Sequence, residues 1–228
     1  MKIIGIIPAR GGSKGIPKKN IKLLNNRPLI HYTINAAKKS TYLDQVYVST
    51  DDHEIADVST SLGATIPVMR PKELAEDDTP TLPVIQHMTK IIEKKIGPID
   101  IAVTLQPTTP LRTSLDIDNT IKKLIESNAD AAVSVAEVEI HPYIMARINR
   151  DKLKWLHSEE KRGRRQDFPQ VYALNGAVYA TRRDVLLDQN SLYGQDTRAY
   201  IMPRERSIDI DKIHDFILVE TIMRKGLE

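Results

Sequence analysis

The 228-residue chain has no cysteine, so neither a disulfide framework nor thiolate chemistry is open to it, which suits a reducing compartment. It has no low-complexity tract and no internal repeat, so a disordered chain and a repeat array are both set aside. No apolar run approaches membrane length and no signal-peptide pattern precedes the first strand-like run, so the expectation is a soluble, cytoplasmic protein without a membrane partner. Charge of one sign is also scarce: 33 Lys+Arg against 30 Asp+Glu leaves +3, too small an excess to argue nucleic-acid binding from bulk charge. Two familiar phosphate signatures are missing. Neither G-x-G-x-x-G nor G-x-x-x-x-G-K-[ST] occurs, which removes support for a dinucleotide fold and for a P-loop ATPase.

What is present is alternation. The runs 3–8, 45–50, 64–69, 100–106, 130–138, 176–181 and 199–202 are rich in Val and Ile and read as strands covered on both faces. Between them 28–40, 52–63, 81–95, 114–128 and 211–226 carry helical periodicity, with Pro28 at a helix start, Gly63 after a helix, and Ser114 and Asp211 fitting N-cap positions. The pattern predicts one α/β domain over 1–228 with a mainly parallel sheet. Residues 139–172 break the rhythm and hold the only Trp. They read as a hairpin or extended excursion, a dimerisation element or a plain surface loop on pattern alone.

Charge clusters locally at 159–166, "EEKRGRRQ", and more densely in "PARGGSKGIPKKN", Pro8 to Asn20, where three glycines and four cations follow the first strand. Ligands of parallel α/β sheets bind beyond the carboxyl ends of the strands. A glycine-rich backbone that turns its N–H groups inward, with Arg10, Lys14, Lys18 and Lys19 for charge, suits a polyanion. An RNA-binding Arg-Gly-Gly element is usually repeated in a disordered setting, whereas this one occurs once between a strand and a helix.

The stretch "IIPARGGSKGIPKKNIKLLNNRPLIHYTINAA", followed in order by "VSTDDHEIA", "RPKELAEDDT", "LQPTTPLR", "RQDFPQVYALNGAVY" and "SIDID", closely resembles the CMP-sialic acid synthetases, the acylneuraminate cytidylyltransferases, over nearly the whole chain. The resemblance implies a three-layer α/β/α fold of the nucleotide-diphospho-sugar transferase type. It also implies transfer of CMP from CTP to the anomeric hydroxyl of a nine-carbon 2-keto sugar acid, with release of pyrophosphate. Such chemistry is mostly positioning and charge neutralisation.

By that resemblance Arg10, Ser13 and Lys19 hold the triphosphate, the Gly11–Gly12 backbone donates N–H groups, and Asn20, Arg70 and Thr81 reach the cytidine, while Lys14 and Lys18 add general field. Gln106, Thr108, Arg165, Gln166 and Asn175 are implied for the sugar acid, with Arg165 matched to its carboxylate. Asp209 and Asp211 lie two apart, so an extended backbone turns both to one side, as shared ligation of Mg²⁺ requires. On spacing alone Asp211 reads first as a helix cap. The resemblance makes both residues Mg²⁺ ligands, with Arg10, Lys19 and Asp211 the catalytic set. Arg70 otherwise reads as a surface ion pair, and Arg112 as a salt bridge at the start of a helix.

The excursion is implied to form a homodimer and to carry Arg165 and Gln166 into the neighbouring subunit's site. Ala173 and Leu174 stand where many sialic-acid members carry Arg-Pro, which leaves legionaminic acid as an alternative sugar. Gly15 argues against pseudaminic acid, whose branch tends to carry Arg there. Two other classes remain as rivals: a nucleotide-binding protein without turnover, against which Arg10, Lys19, Asp209 and Asp211 argue, and an RNA-binding module, which needs neither aspartate.

Overall fold

The first apolar run becomes β1 (Ile3–Pro8), buried on both sides as a central strand requires. In the computed structural model, which describes residues 1–157 and 164–226 with the Arg165 side chain outside that set, a short hairpin follows. Its arms are β2 (Leu23–Leu24) and β3 (Arg27–Pro28), joined by Asn25 and Asn26, both at positive φ as a tight two-residue turn demands. Next come α1 (Leu29–Lys38), β4 (Gln45–Ser49), α2 (His53–Ser61), α3 (Thr81–Ile96), β5 (Ile101–Thr104), α4 (Ser114–Ser127) and β6 (Ala131–Glu137). The excursion holds a hairpin, β7 (Ala146–Asn149) and β8 (Lys152–Trp155). The chain returns through β9 (Tyr172–Arg182), α5 (Arg183–Leu187), β10 (Thr197–Ile201) and α6 (Ile213–Lys225).

The main sheet runs β10-β6-β9-β5-β1-β4. All neighbours pair in parallel except β9, which is antiparallel to both β5 and β6. Ile30, Ile34, Ile55, Ile117, Ile121 and Leu124 of α1, α2 and α4 cover one face against Ile7, Val48 and Val103. On the other face Ile85, Met88, Ile92 and Leu186 of α3 and α5 pack on Ile4, Ile6 and Ala102. These are the expected three α/β/α layers. A separate cluster joins Ile16 of the glycine-rich turn to Leu24, Leu29 and Ile210 and to Phe216 and Val219 of α6.

Four local expectations are corrected. Residues 64–69 form no strand: Thr65 makes one bridge with Tyr47, and Pro67, lacking an N–H, stops the ladder. Strand β9 starts at Tyr172 rather than 176, because residues 172–174 pair with 135–137 beyond an irregularity in the register. Thr113, not Ser114, caps α4, in a reciprocal box with Asp116. Asp211 does not cap α6; the Asp215 carboxylate accepts the backbone N–H of Asp211 and Lys212 at 3.1 and 2.7 Å. Pro28 precedes the first helical residue, consistent with its placement at a helix start.

Asp116 does more than cap. It is fully buried, and its carboxylate accepts from Thr113 N and Oγ1, both at 2.8 Å, from Arg206 Nη2 at 2.7 Å and from Tyr200 Oη at 3.3 Å. It therefore ties α4 to β10 and to the turn before Ser207. Asp116→Ala should cost about 3 kcal/mol in equilibrium urea denaturation, since it leaves Arg206 without its buried partner and opens the cap. Asp116→Asn should lie between it and the parent, and equal stability of all three would remove this role.

Candidate active site

The turn after β1 lies at the carboxyl end of the sheet and forms one wall of a cleft of about 270 Å³. Its glycines are not there for left-handed backbone, since none of the three has positive φ; the left-handed residue is Lys18. They are there for close approach. A Cβ on Gly11 would sit 2.8 Å from the Asp52 side chain, and one on Gly15 would run into the Asp211 carbonyl oxygen, whereas Gly12 faces open space. The Gly11 N–H donates to Asp51 Oδ1 at 3.0 Å, so Gly11 shapes the turn from behind while Gly12 and Ser13 line the cleft. The Gly11 N–H, expected to meet phosphate, is held by the Asp51 carboxylate in this structure.

The cations divide by anchorage. Arg10 reaches across the cleft, donating to the Glu76 carbonyl at 2.6 Å and pairing with Asp77 at 3.0 Å. Lys14 joins the same carboxylate at 2.8 Å, and Lys18 turns away to Glu54. Lys19 is mostly buried, donates to the Ile210 carbonyl at 2.7 Å and lies 3.6 Å from Asp211 Oδ1. Asn20 holds the turn closed by donating to the Arg10 carbonyl at 2.9 Å.

Arg70 is not a surface ion pair. It is buried at 6% exposure, with Nε on Ser49 Oγ at 3.0 Å and Nη2 on Ser49 O at 2.5 Å, and burial brings its pKa down to about 10 despite the nearby Asp51. The guanidinium stays charged at neutral pH and lines the cleft beside Thr81, the first residue of α3. Arg112 forms no salt bridge at the helix start either. Fully buried, it donates to Gln106 O, Thr109 Oγ1, Ala177 O and Thr33 Oγ1, and burial lowers its pKa to about 9. It therefore braces the turn that carries Gln106 and Thr108.

The strap Ser207–Asp211 crosses that turn. Ile210 N donates to Thr108 O at 2.8 Å, and the Thr108 hydroxyl bonds the Asp209 carboxylate. Asp209 reaches solvent at one edge but is crowded by protein, and this partial dehydration, with Asp211 nearby, raises its pKa. Gly176, at positive φ, leaves bare backbone beneath both groups: a Cβ would lie 3.3 Å from Gln106 Oε1 and 3.6 Å from Asp209 Oδ2. Two carboxylates with a hydroxyl beside them are a hard-oxygen donor set that fits a divalent cation sharing phosphate oxygens. Among the described residues no group of three or more acidic, His or Cys side chains converges, so the pair alone would not complete such a shell.

The cleft thus gathers Arg10, Gly12, Ser13, Lys19, Asn20, Arg70, Thr81, Gln106 and Thr108 from the expected set. Asn175 does not join them. Its amide is buried, accepting from Ser134 Oγ at 2.7 Å and Ala177 N at 3.1 Å and donating to Ser207 Oγ at 2.9 Å, so the expected sugar contact is corrected to a structural role beneath the strap. Gln166 is exposed on the short turn Arg165–Asp167 and does not line this chain's cleft, while the Arg165 side chain and most of the 159–166 cluster lie outside the described residues.

Two features went unmarked in the sequence. Asp77 faces the basic turn, its acidic loop sixty-odd residues away in sequence giving no local signal. A side cavity of about 250 Å³, lined by Leu82, Tyr179, Leu192 and Tyr193, shares Thr81 and Gln106 with the main cleft. Burial pushes the Tyr179 hydroxyl up to about 12, so it remains a neutral wall.

A family model described as Cytidylyltransferase matches residues 4–222. The N-acylneuraminate cytidylyltransferase of Streptococcus agalactiae serotype V is 34% identical over 222 residues, covering 96% of this chain and 52% of that protein; the chain spans about half the length of the first such relatives. The CMP-N,N'-diacetyllegionaminic acid synthase of Legionella pneumophila is 30% identical, over 100% of this chain and 99% of its own. Among solved structures, CMP:2-keto-3-deoxy-manno-octonic acid synthetase complexed with CTP superposes with a TM-score of 0.77 at 17% identity, over 99% of this chain and 100% of that one, a likeness of fold. With the glycine-rich basic turn and the buried Arg70 on one cleft and the aspartate strap against its Thr108 and Lys19, the match over nearly the whole length assigns this chain to the cytidylyltransferase family.

Proposed function

We propose that the protein transfers CMP from CTP to the anomeric hydroxyl of a sialic-acid-type nonulosonate, releasing pyrophosphate. The observation that carries this reading is a cleft lined by the cationic turn and a buried arginine, with the aspartate pair joined to its wall through the Thr108 hydroxyl and the Lys19 ammonium. Arg10, Ser13, Lys19 and the Gly12 N–H serve the triphosphate. Arg70, fixed by Ser49, together with Thr81 and Asn20, serves the base. Gln106 and Thr108 face the sugar acid, and the neutral side cavity at Tyr179 suits an apolar substituent of that sugar. When bound at Asp209 and Asp211, Mg²⁺ supplies charge neutralisation on phosphate oxygens and favours ionisation of the attacking hydroxyl. Lys19, held against Ile210 O, keeps a fixed positive charge beside that pair without a solvated side chain having to be ordered during reaction.

The protein acts as a homodimer in the cytoplasm, where CTP is available. Support comes from the excursion, whose Ile148, Leu153 and Trp155 are more than half exposed, an apolar surface in keeping with a partner subunit. Arg165 and Gln166 then complete the partner's sugar site rather than their own. No helix among the described residues is long and apolar enough to cross a membrane. Legionaminic acid is the second sugar reading, favoured by Ala173 and Leu174, which bring no cation to β9. Gly15 carries no weight between sugars, because its packing on the Asp211 carbonyl already demands glycine.

With CTP, Mg²⁺ and N-acetylneuraminic, legionaminic, pseudaminic and Kdo acids offered side by side, pyrophosphate release should appear with N-acetylneuraminic or legionaminic acid and not with Kdo acid. No release with any of the four would overturn the reading. Asp211→Ala should lower kcat by about 10²- to 10³-fold with the dimer intact by sedimentation; a rate within twofold of the parent removes the metal assignment. Arg165→Ala should raise KM for the sugar acid at least about tenfold, as loss of a charged hydrogen bond would, while KM for CTP stays put. Equal shifts in the two constants would count against the carboxylate contact.

A further inference from the structure

We infer that Asp77 is an internal counter-ion that competes with the nucleotide's triphosphate for Arg10 and Lys14, and so sets how many negative charges a ligand must bring to take the turn. The inference rests on the triphosphate reading above. Its basis is the division of labour within one carboxylate: Oδ1 pairs with Arg10 at 3.0 Å and Oδ2 with Lys14 at 2.8 Å, one oxygen per cation, as a bridging phosphate would be held. The same turn offers Arg10 a backbone oxygen, since Glu76 O accepts both from Arg10 Nη1 at 2.6 Å and from Thr79 N at 3.2 Å. Both acceptors line the cleft together with Arg10, Ser13 and Lys19. Lys14 itself is 77% exposed.

A bystander carboxylate would not need this geometry. Lys19, the other cation of the turn that lines the cleft, is anchored by Ile210 O and Asp211 and makes no pair with Asp77. The turn is thus split into a fixed cation and two that are shared. Hydrogen bonding from Lys14, with Lys14 and Arg10 charge beside it, holds the Asp77 carboxyl below its ordinary range, so it stays ionised whenever the two cations are present. Asp77 is 44% exposed and rehydrates readily once displaced, which keeps the exchange inexpensive. A triphosphate replaces one carboxylate by several anionic oxygens and gains from the exchange. A monophosphate brings little beyond what it displaces. When pyrophosphate departs, the carboxylate returns to the two cations and lowers the cost of release.

The test is calorimetric titration of tripolyphosphate, CTP, UTP and CMP into the 228-residue protein, its Asp77→Asn variant and an Asp78→Asn control, at low salt without metal. Asp78 removes the same charge from the same loop but makes neither pair. Asp77→Asn should bind tripolyphosphate and CTP about 3- to 10-fold more tightly, as release of two exposed ion pairs allows, with a gain for CMP below about twofold and Asp78→Asn close to the parent. Unchanged or weaker tripolyphosphate binding in Asp77→Asn, or an equal gain in both variants, overturns the inference. Tripolyphosphate has no base, so that arm judges the counter-ion by itself; indifference of the parent between CTP and UTP would instead count against the cytidylyl reading.

Discussion

The site depends on one contact between segments about 190 residues apart. Ile210 is fully buried beside Ile16, Leu24 and Leu29, its N–H is taken by Thr108 O, and its carbonyl accepts the Lys19 ammonium. Burying such a side chain stabilises by roughly 2–3 kcal/mol, and the two polar bonds give the attachment its register. Asp209 and Asp211 flank Ile210 in the chain, so anchoring the isoleucine places both carboxylates. Gly15 allows the approach, because no side chain fits between the turn and the Asp211 carbonyl. Without this seam the cationic turn and the acidic strap would be separate surface features.

Around that seam the protein holds polar groups in place with buried partners. Arg112 braces the Gln106–Thr108 turn through backbone oxygens and two threonine hydroxyls, and Asn175 underlies the strap through Ser207. Asp116 holds Arg206 at the strap's beginning. Each is a buried polar side chain with several protein hydrogen bonds, although Arg112 Nε is left without a partner among the described residues, and such a network is costly to disturb. The result is a preorganised wall opposite a more adaptable one, where Arg10 and Lys14 share an exposed carboxylate. Under the proposed function, fixed groups would suit a metal and sugar side, where geometry governs transfer. Exchangeable pairs suit the phosphate side, where a highly charged ligand must arrive and its product leave.

Much of this was legible in residue order. The alternation of Val/Ile runs with helical periods determined the layered α/β architecture, since buried parallel strands need apolar side chains on both faces. The cationic glycine turn after β1 raised the expectation of an anion site by its position, and its place on the cleft wall is what the structure adds. What pattern misjudged was local and had local causes. Pro67 halts a bridge that composition alone extends into a strand, and Thr113 takes the cap that Ser114 fits equally well by type.

Only the tertiary structure decided which polar residues face the cleft. Arg70 and Arg112 both lie within two residues of a proline in ordinary-looking loops, yet one lines the cavity and the other is sealed behind it. Asn175 follows a motif that suggests a ligand contact, but β9 turns its amide toward Ser134 and Ser207. Asp77 acquires its role through contacts 63 and 67 residues away along the chain. Composition and periodicity determine which faces are buried, because burial repeats with the secondary structure. Pairing across the fold has no such period: it depends on where the strands' ends and their loops meet, and that is determined only when the whole chain has packed.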